Sequence, residues 1–144
     1  MSELSKAAKI AFATTFSFYL KAHNFHWNIE GVNFKQFHDL FGGIYEEVFE
    51  SVDPFAEQIR ALGSYMPGSY TRFSMLSQIE DENDILDDRS MVAELLDDNE
   101  KLKKILKMVF DLSEQEGEHG FSDFIAGRMD AHSKHGWMLR SILK

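Results

Sequence analysis

His26, His38, Asp53 and Glu57 carry the side-chain types of a metal site built from nitrogen and oxygen donors. Imidazole with carboxylate suits iron(II), zinc and manganese. His26 lies a few residues before a short turn, Glu30-Gly31-Val32-Asn33, and His38 a few residues after it. If the flanking helices run antiparallel, the two imidazoles sit at about the same height. Asp53 and Glu57 are spaced i, i+4, so a continuous helix puts both carboxylates on one face. No single helix assembles the four. His38 and Asp53 are fifteen residues apart, roughly 22 Å of helix. Two copies packed antiparallel about a two-fold axis near Tyr45 to Val48 close that gap. The spacing therefore predicts a site at an isologous dimer interface.

Each residue also has a plainer reading. Asp53 before Pro54 fits the N-cap and first position of a restarted helix. Glu57 fits an exposed partner of Arg60 at i+3. Trp27, Phe37, Phe41 and Phe49 fit packing alone.

Four long apolar patterns must position these groups, which predicts an all-α chain. Helix A spans Leu4 to Asn28, with a stripe of Leu4, Ala8, Ala11, Phe12, Thr15, Phe16, Tyr19, Ala22 and His26. Helix B carries Phe37, Phe41, Ile44, Val48, Val52, Phe55, Ile59 and Leu62, a bundle stripe. Beside it runs a second line, His38, Gly42, Tyr45, Phe49, Asp53 and Ala56, which predicts a partner on that face too. Pro54 should kink or restart helix B, and Gly63 should close it. A short helix is expected over Thr71 to Ile79, followed by an acidic run from Glu80 to Asp88. Helix C should start at a Ser90 cap and end before Gly117; Ser122 should cap helix D. Four helices with one long B-to-C crossover have ferritin-like connectivity.

Composition narrows the function classes. One domain is expected of 144 residues. The absence of cysteine excludes disulfides, thiolate metal sites and cysteine nucleophiles, and is compatible with a cytoplasmic location. No apolar run approaches the ~20 residues of a membrane span, and MSELSKAAKI lacks the basic and apolar regions of a secretory signal. The formal charge of -9 repels nucleic-acid phosphates and attracts cations.

His26-Trp27-Asn28, then Gly31 and Phe34, His38, Asp53, Ala56, Glu57, Arg60 and Leu62-Gly63 form a recognisable series. With Pro67 to Phe73, Met91 to Leu96 and Trp137 to Arg140, it resembles the Dps proteins (DNA-binding protein from starved cells), a branch of the ferritin superfamily, over nearly the whole chain. The resemblance implies a hollow dodecamer with ferroxidase centres at two-fold interfaces. There iron(II) is oxidised, usually by hydrogen peroxide, and stored inside as ferric mineral. It implies that His26 and His38 come from one subunit and Asp53 and Glu57 from its mate, with Trp27 beside the centre to quench stray one-electron oxidants.

One position departs from the family pattern. Many members carry an acid four residues after the second histidine, where this chain has Gly42. Asp39 points about 100° away around the helix, and Glu46, a turn beyond Gly42, would reach only through water. His23, three residues before His26, is a further candidate to assist. The alternative is a shell-forming or DNA-compacting protein with a degraded centre. Of the acids at the C-to-D link, Glu114, Glu116, Glu118 and Asp123, the resemblance makes Glu118 and Asp123 candidates for a three-fold iron pore; a solvated acidic loop is the other reading. His119, His132 and His135 suit a polar end or an interface at least as well as a metal. Family members that hold DNA use a lysine-rich tail. Here the N-terminal region offers Lys6 and Lys9 and the sequence given stops at Lys144, so DNA binding is expected to be weak or absent.

Overall fold

The structure, a computed structural model, describes residues 2–144. Among them run α1 (Glu3–Asn28), α2 (Phe34–Ala61), α3 (Tyr70–Leu76), α4 (Asp88–Gln115) and α5 (His119–Leu143). Four long helices form the bundle, and α3 sits in the crossover between α2 and α4. Contacts between residues distant in sequence fix the directions. The start of α1 meets the end of α4 where the Leu4 amide donates to Glu116, and its far half meets the α4 start through Lys21 and Asp98. So α1 is antiparallel to α4, and also to α2 through the Gly31 turn. The crossover therefore returns along the bundle, leaving α2 and α4 parallel. Among the described residues no helix is long and apolar enough to cross a membrane.

The periodic positions of α2 form its buried face: Phe37, Phe41, Ile44, Val48, Phe55 and Ile59 are all buried. On α1 the buried face is wider than its stripe, because α1 packs against α2, α3 and α4 together. Phe18 and Phe25, outside the stripe, are fully buried, whereas Phe16 and Tyr19 are half-buried. Phe73 of α3 packs on Phe16 at 4.8 Å and on Phe12 at 5.7 Å, holding the crossover to α1.

Several boundaries differ from the sequence reading. Pro54 lies inside one continuous α2. Burial of Phe55 and Ile59 on the same face as the upstream core holds the helix through the missing amide. The cap of α4 is Asp87, whose carboxylate accepts from the Ser90 amide at 2.8 Å, so Ser90 is the donor and not the cap. Helix α5 begins at His119, before Ser122, whose buried hydroxyl instead donates to Glu114 at 2.7 Å. Helix α3 ends at Leu76 because Ser77 turns extended, its hydroxyl donating to the Ile79 carbonyl. Gly63, at φ +92, follows α2 in the left-handed region that favours glycine.

Candidate metal centre

His26 stands in the last turn of α1 and His38 near the start of α2. Their rings stack at 3.7 Å with 20° between planes. Each Nδ1 lies 2.7 Å from the other's main-chain carbonyl oxygen. A carbonyl oxygen only accepts, so both Nδ1 atoms are protonated. With Nδ1 so engaged, Nε2 is the ring nitrogen left to offer a lone pair, through which imidazole binds a metal. Orienting a ligand imidazole through its second nitrogen is a general device of metal sites. Phe34 covers the outer side of His38 at 4.9 Å.

Gly42 lies beneath His26. A Cβ there would sit 3.2 Å from Cε1 and Nδ1 of that ring. The space that a side chain would need is occupied by imidazole. His23 extends the cluster along α1. It stacks on Tyr45 at 3.7 Å and 9°, and on Trp27 at 3.9 Å and 30°. Its Nδ1 lies 3.0 Å from the Tyr19 hydroxyl. Burial and the neighbouring His26 push the His23 imidazole below its ordinary value.

Asp53 and Glu57 are exposed a long way down α2, and neither takes part in a hydrogen bond or ion pair among the described residues. Arg60 does not serve Glu57: it donates to the Ser64 carbonyl and stacks over Tyr65. Both carboxylates are thus left open to groups outside the protomer. Asp39 is engaged with Lys35 at 2.7 Å, and that hydrogen bond holds its carboxyl below the usual range. Glu46 is exposed. Among the described residues, no group of three or more histidines and acids within one chain is placed to hold a metal.

At the α4–α5 link, Glu114 is tied to His119 and Ser122, and Glu116 to the Leu4 amide. Glu118 and Asp123 are exposed, with no side-chain partner. His119 is exposed, but His132 and His135 are not at a polar end. They are buried inside the bundle. His135 and Arg128 both bond Glu47, and His132 bonds Asn99 at 2.8 Å. Burial pushes the Glu47 carboxyl up, but its bonds to His135 and Arg128 outweigh burial and hold it far below the carboxylate range. Sequence periodicity flagged Tyr19 and Tyr45 only as packing positions. The i, i+4, i+8 run of Tyr19, His23 and Trp27 was the available signal for their contact.

A bundle with one long crossover and histidines at the α1–α2 junction defines the ferritin-like class, and the ferritin-like domain family matches residues 7–144. A low temperature-induced protein of Nostoc is 34% identical over 134 residues, covering 92% of this chain and 75% of the relative. The crystal structure of Dps from Staphylococcus aureus superposes with a TM-score of 0.94 at 30% identity, covering 99% of this chain and 95% of that one. That of Vibrio cholerae Dps, described as a member of the ferritin-like diiron-carboxylate superfamily, gives 0.94 at 28% identity over 99% and 89%. The chain belongs to the Dps family of the ferritin superfamily.

Proposed function

We propose that this Dps-type protein oxidises iron(II), with hydrogen peroxide as the oxidant, and stores the ferric product in a hollow dodecamer in the cytoplasm. Each centre takes His26 and His38 from one subunit and Asp53 and Glu57 from its two-fold mate. Iron is the substrate and cargo; zinc and manganese suit the same donors. The observation that carries this reading is the separation of two prepared half-sites. The imidazoles are locked with Nε2 available, and two unpaired carboxylates wait on the same helix, roughly 22 Å away. A symmetry mate supplies the only short route between them. Trp27 stands beside the imidazoles as a one-electron quencher, Asp39 and Glu46 are accessory acids, and Glu118 and Asp123 supply the unpaired charge of an iron pore.

Anaerobic iron(II) titration followed by peroxide tests the assignment. Ferric absorbance should grow in the native protein and be lost in a His38→Ala/Glu57→Ala variant. An unaffected double variant would overturn the site.

Gly42 favours a second reading, a shell-forming or DNA-compacting protein without ferroxidase activity, because no acid can stand where the His26 ring lies without displacing it. An intact shell with no iron uptake would select that reading. Binding to duplex DNA should be weak at moderate salt, given the charge of -9. Salt-tolerant retardation in a gel shift would contradict this.

A further inference from the structure

Three imidazoles meet at the α1–α2 junction, and one differs in kind. The Nδ1 atoms of His26 and His38 face carbonyl oxygens and must carry protons. The Nδ1 of His23 faces a hydroxyl, that of Tyr19. A hydroxyl can donate, so this nitrogen alone of the three is free to accept a proton. The His23 ring is also sandwiched between Trp27 and Tyr45, and Tyr45 lies 5.0 Å from the His26 ring. A continuous path of π-systems therefore leads from the candidate metal ligands to a phenol with a base at its oxygen.

We propose that Tyr19 and His23 form a proton-coupled electron donor serving this centre. Tyr19 loses one electron and its hydroxyl proton. The O–H bond breaks, and an N–H bond forms at His23 Nδ1. The electron crosses the ring stack to a peroxide-derived one-electron oxidant at the centre, or to an oxidised Trp27, which is thereby reduced by one electron. A neutral phenoxyl radical remains on Tyr19 beside an imidazolium on His23.

The choice of Tyr19 over the other tyrosines follows from the proton. Oxidising a phenol with nowhere to send its proton leaves a radical cation, which is far harder to form. Tyr45, Tyr65 and Tyr70 have no hydroxyl hydrogen bond among the described residues; the strongly exposed Tyr65 and Tyr70 can give a proton only to water, a far weaker base than imidazole. Burial, with Tyr45 and Tyr70 nearby, raises the Tyr19 phenol above its ordinary value, so it stays protonated until oxidised. Phe49 packs on Tyr19 at 4.9 Å and shields it. The i, i+4 spacing of Tyr19 and His23 on α1 fixes this geometry in the helix itself.

The physiological oxidant comes from the iron–peroxide reading above, but the relay is testable without metal. Tyr65→Phe/Tyr70→Phe/Trp137→Phe serves as background, which leaves Tyr19, Tyr45 and Trp27. Azide radicals made by pulse radiolysis oxidise exposed indoles, and Trp27 is 58% exposed in the single chain. In the metal-free assembly, part of the tryptophan radical should decay as a tyrosyl radical grows, read by visible absorbance and by freeze-quench electron paramagnetic resonance. Tyr19→Phe should abolish the tyrosyl signal and Trp27→Phe should prevent its formation. Tyr45→Phe should retain it. His23→Gln should suppress the transfer, and deuterated solvent should slow it in the background protein. Circular dichroism and light scattering confirm that each variant is folded and assembled. A tyrosyl signal surviving in Tyr19→Phe, an unchanged rate in His23→Gln, or no transfer in the background protein would overturn the pair. None of these results depends on whether the protein oxidises iron.

Discussion

His26 and His38 are each other's positioning group: each ring donates Nδ1–H to the main-chain carbonyl of the other at 2.7 Å. Both acceptors are main chain, so turning one ring breaks its own bond and the 3.7 Å stack but leaves its neighbour's bond in place. Losing either side chain should therefore weaken metal binding by more than one missing ligand, through loss of the stacked ring that helps to hold the survivor. Titration calorimetry with zinc as a redox-silent probe should show His26→Ala and His38→Ala each losing more affinity than one missing ligand accounts for. The double variant should lose much less than the sum of the singles. Strict additivity would show that the rings act independently.

The proposed division of the centre between subunits makes a genetic prediction. A chain lacking His26 and His38 and a chain lacking Asp53 and Glu57 should each be inactive alone. Mixed during assembly, they should regain one of the two centres at every hybrid interface. Iron oxidation that recovers on mixing supports the shared site. If recovery is absent despite confirmed hybrid shells, the donors are not shared.

Gly42 and Gly43 adjoin in sequence but not in consequence. A Cβ at Gly43 meets nothing within 4 Å, whereas one at Gly42 meets the His26 ring at 3.2 Å. Gly43→Ala should raise stability by about 0.5–1 kcal/mol through helix propensity. Gly42→Ala gains the same propensity but must push the imidazole aside, at a cost of about 1–3 kcal/mol. Urea denaturation should rank the variants Gly43→Ala, native, Gly42→Ala. Stabilisation by Gly42→Ala would show that His26 moves freely.

Burial, then the nearby Arg128 charge, holds the fully buried His132 imidazole well below 6.5. A base with a depressed folded value binds its proton more readily when unfolded. Its stabilising contribution is complete above 6.5 and declines as pH falls from 6.5 towards the lower folded value. The denaturation midpoint should thus drop over this acidic range, and His132→Gln should flatten the decline while lowering stability throughout. An unchanged pH slope in that variant would assign the effect to other groups.

The helices and their buried faces were legible because period 3.6 survives in the α2 stripe from Phe37 to Ile59. Boundaries were less so. Asp87 and Ser90 both look like caps, and only the direction of their hydrogen bond separates them. Pro54 looked like a break because local propensity reads the missing amide but not the core anchoring on both sides. His132 and His135 were misplaced because their partners, Asn99 and Glu47, lie on other helices, far away in sequence. Of the candidate site, the histidine pair and the acid pair could be read from spacing. The reciprocal Nδ1 bonds and the displacement of Gly42 by a ring could not, since both depend on how closely α1 approaches α2.

Helix α2 works as a ruler. Adding or deleting one residue between His38 and Asp53 would leave its hydrogen-bond ladder intact, yet rotate one donor set by about 100° against the other and shift it by about 1.5 Å. The helix would still form, but Phe55 and Ile59 would turn out of the core and the proposed pairing of half-sites across the two-fold would be lost.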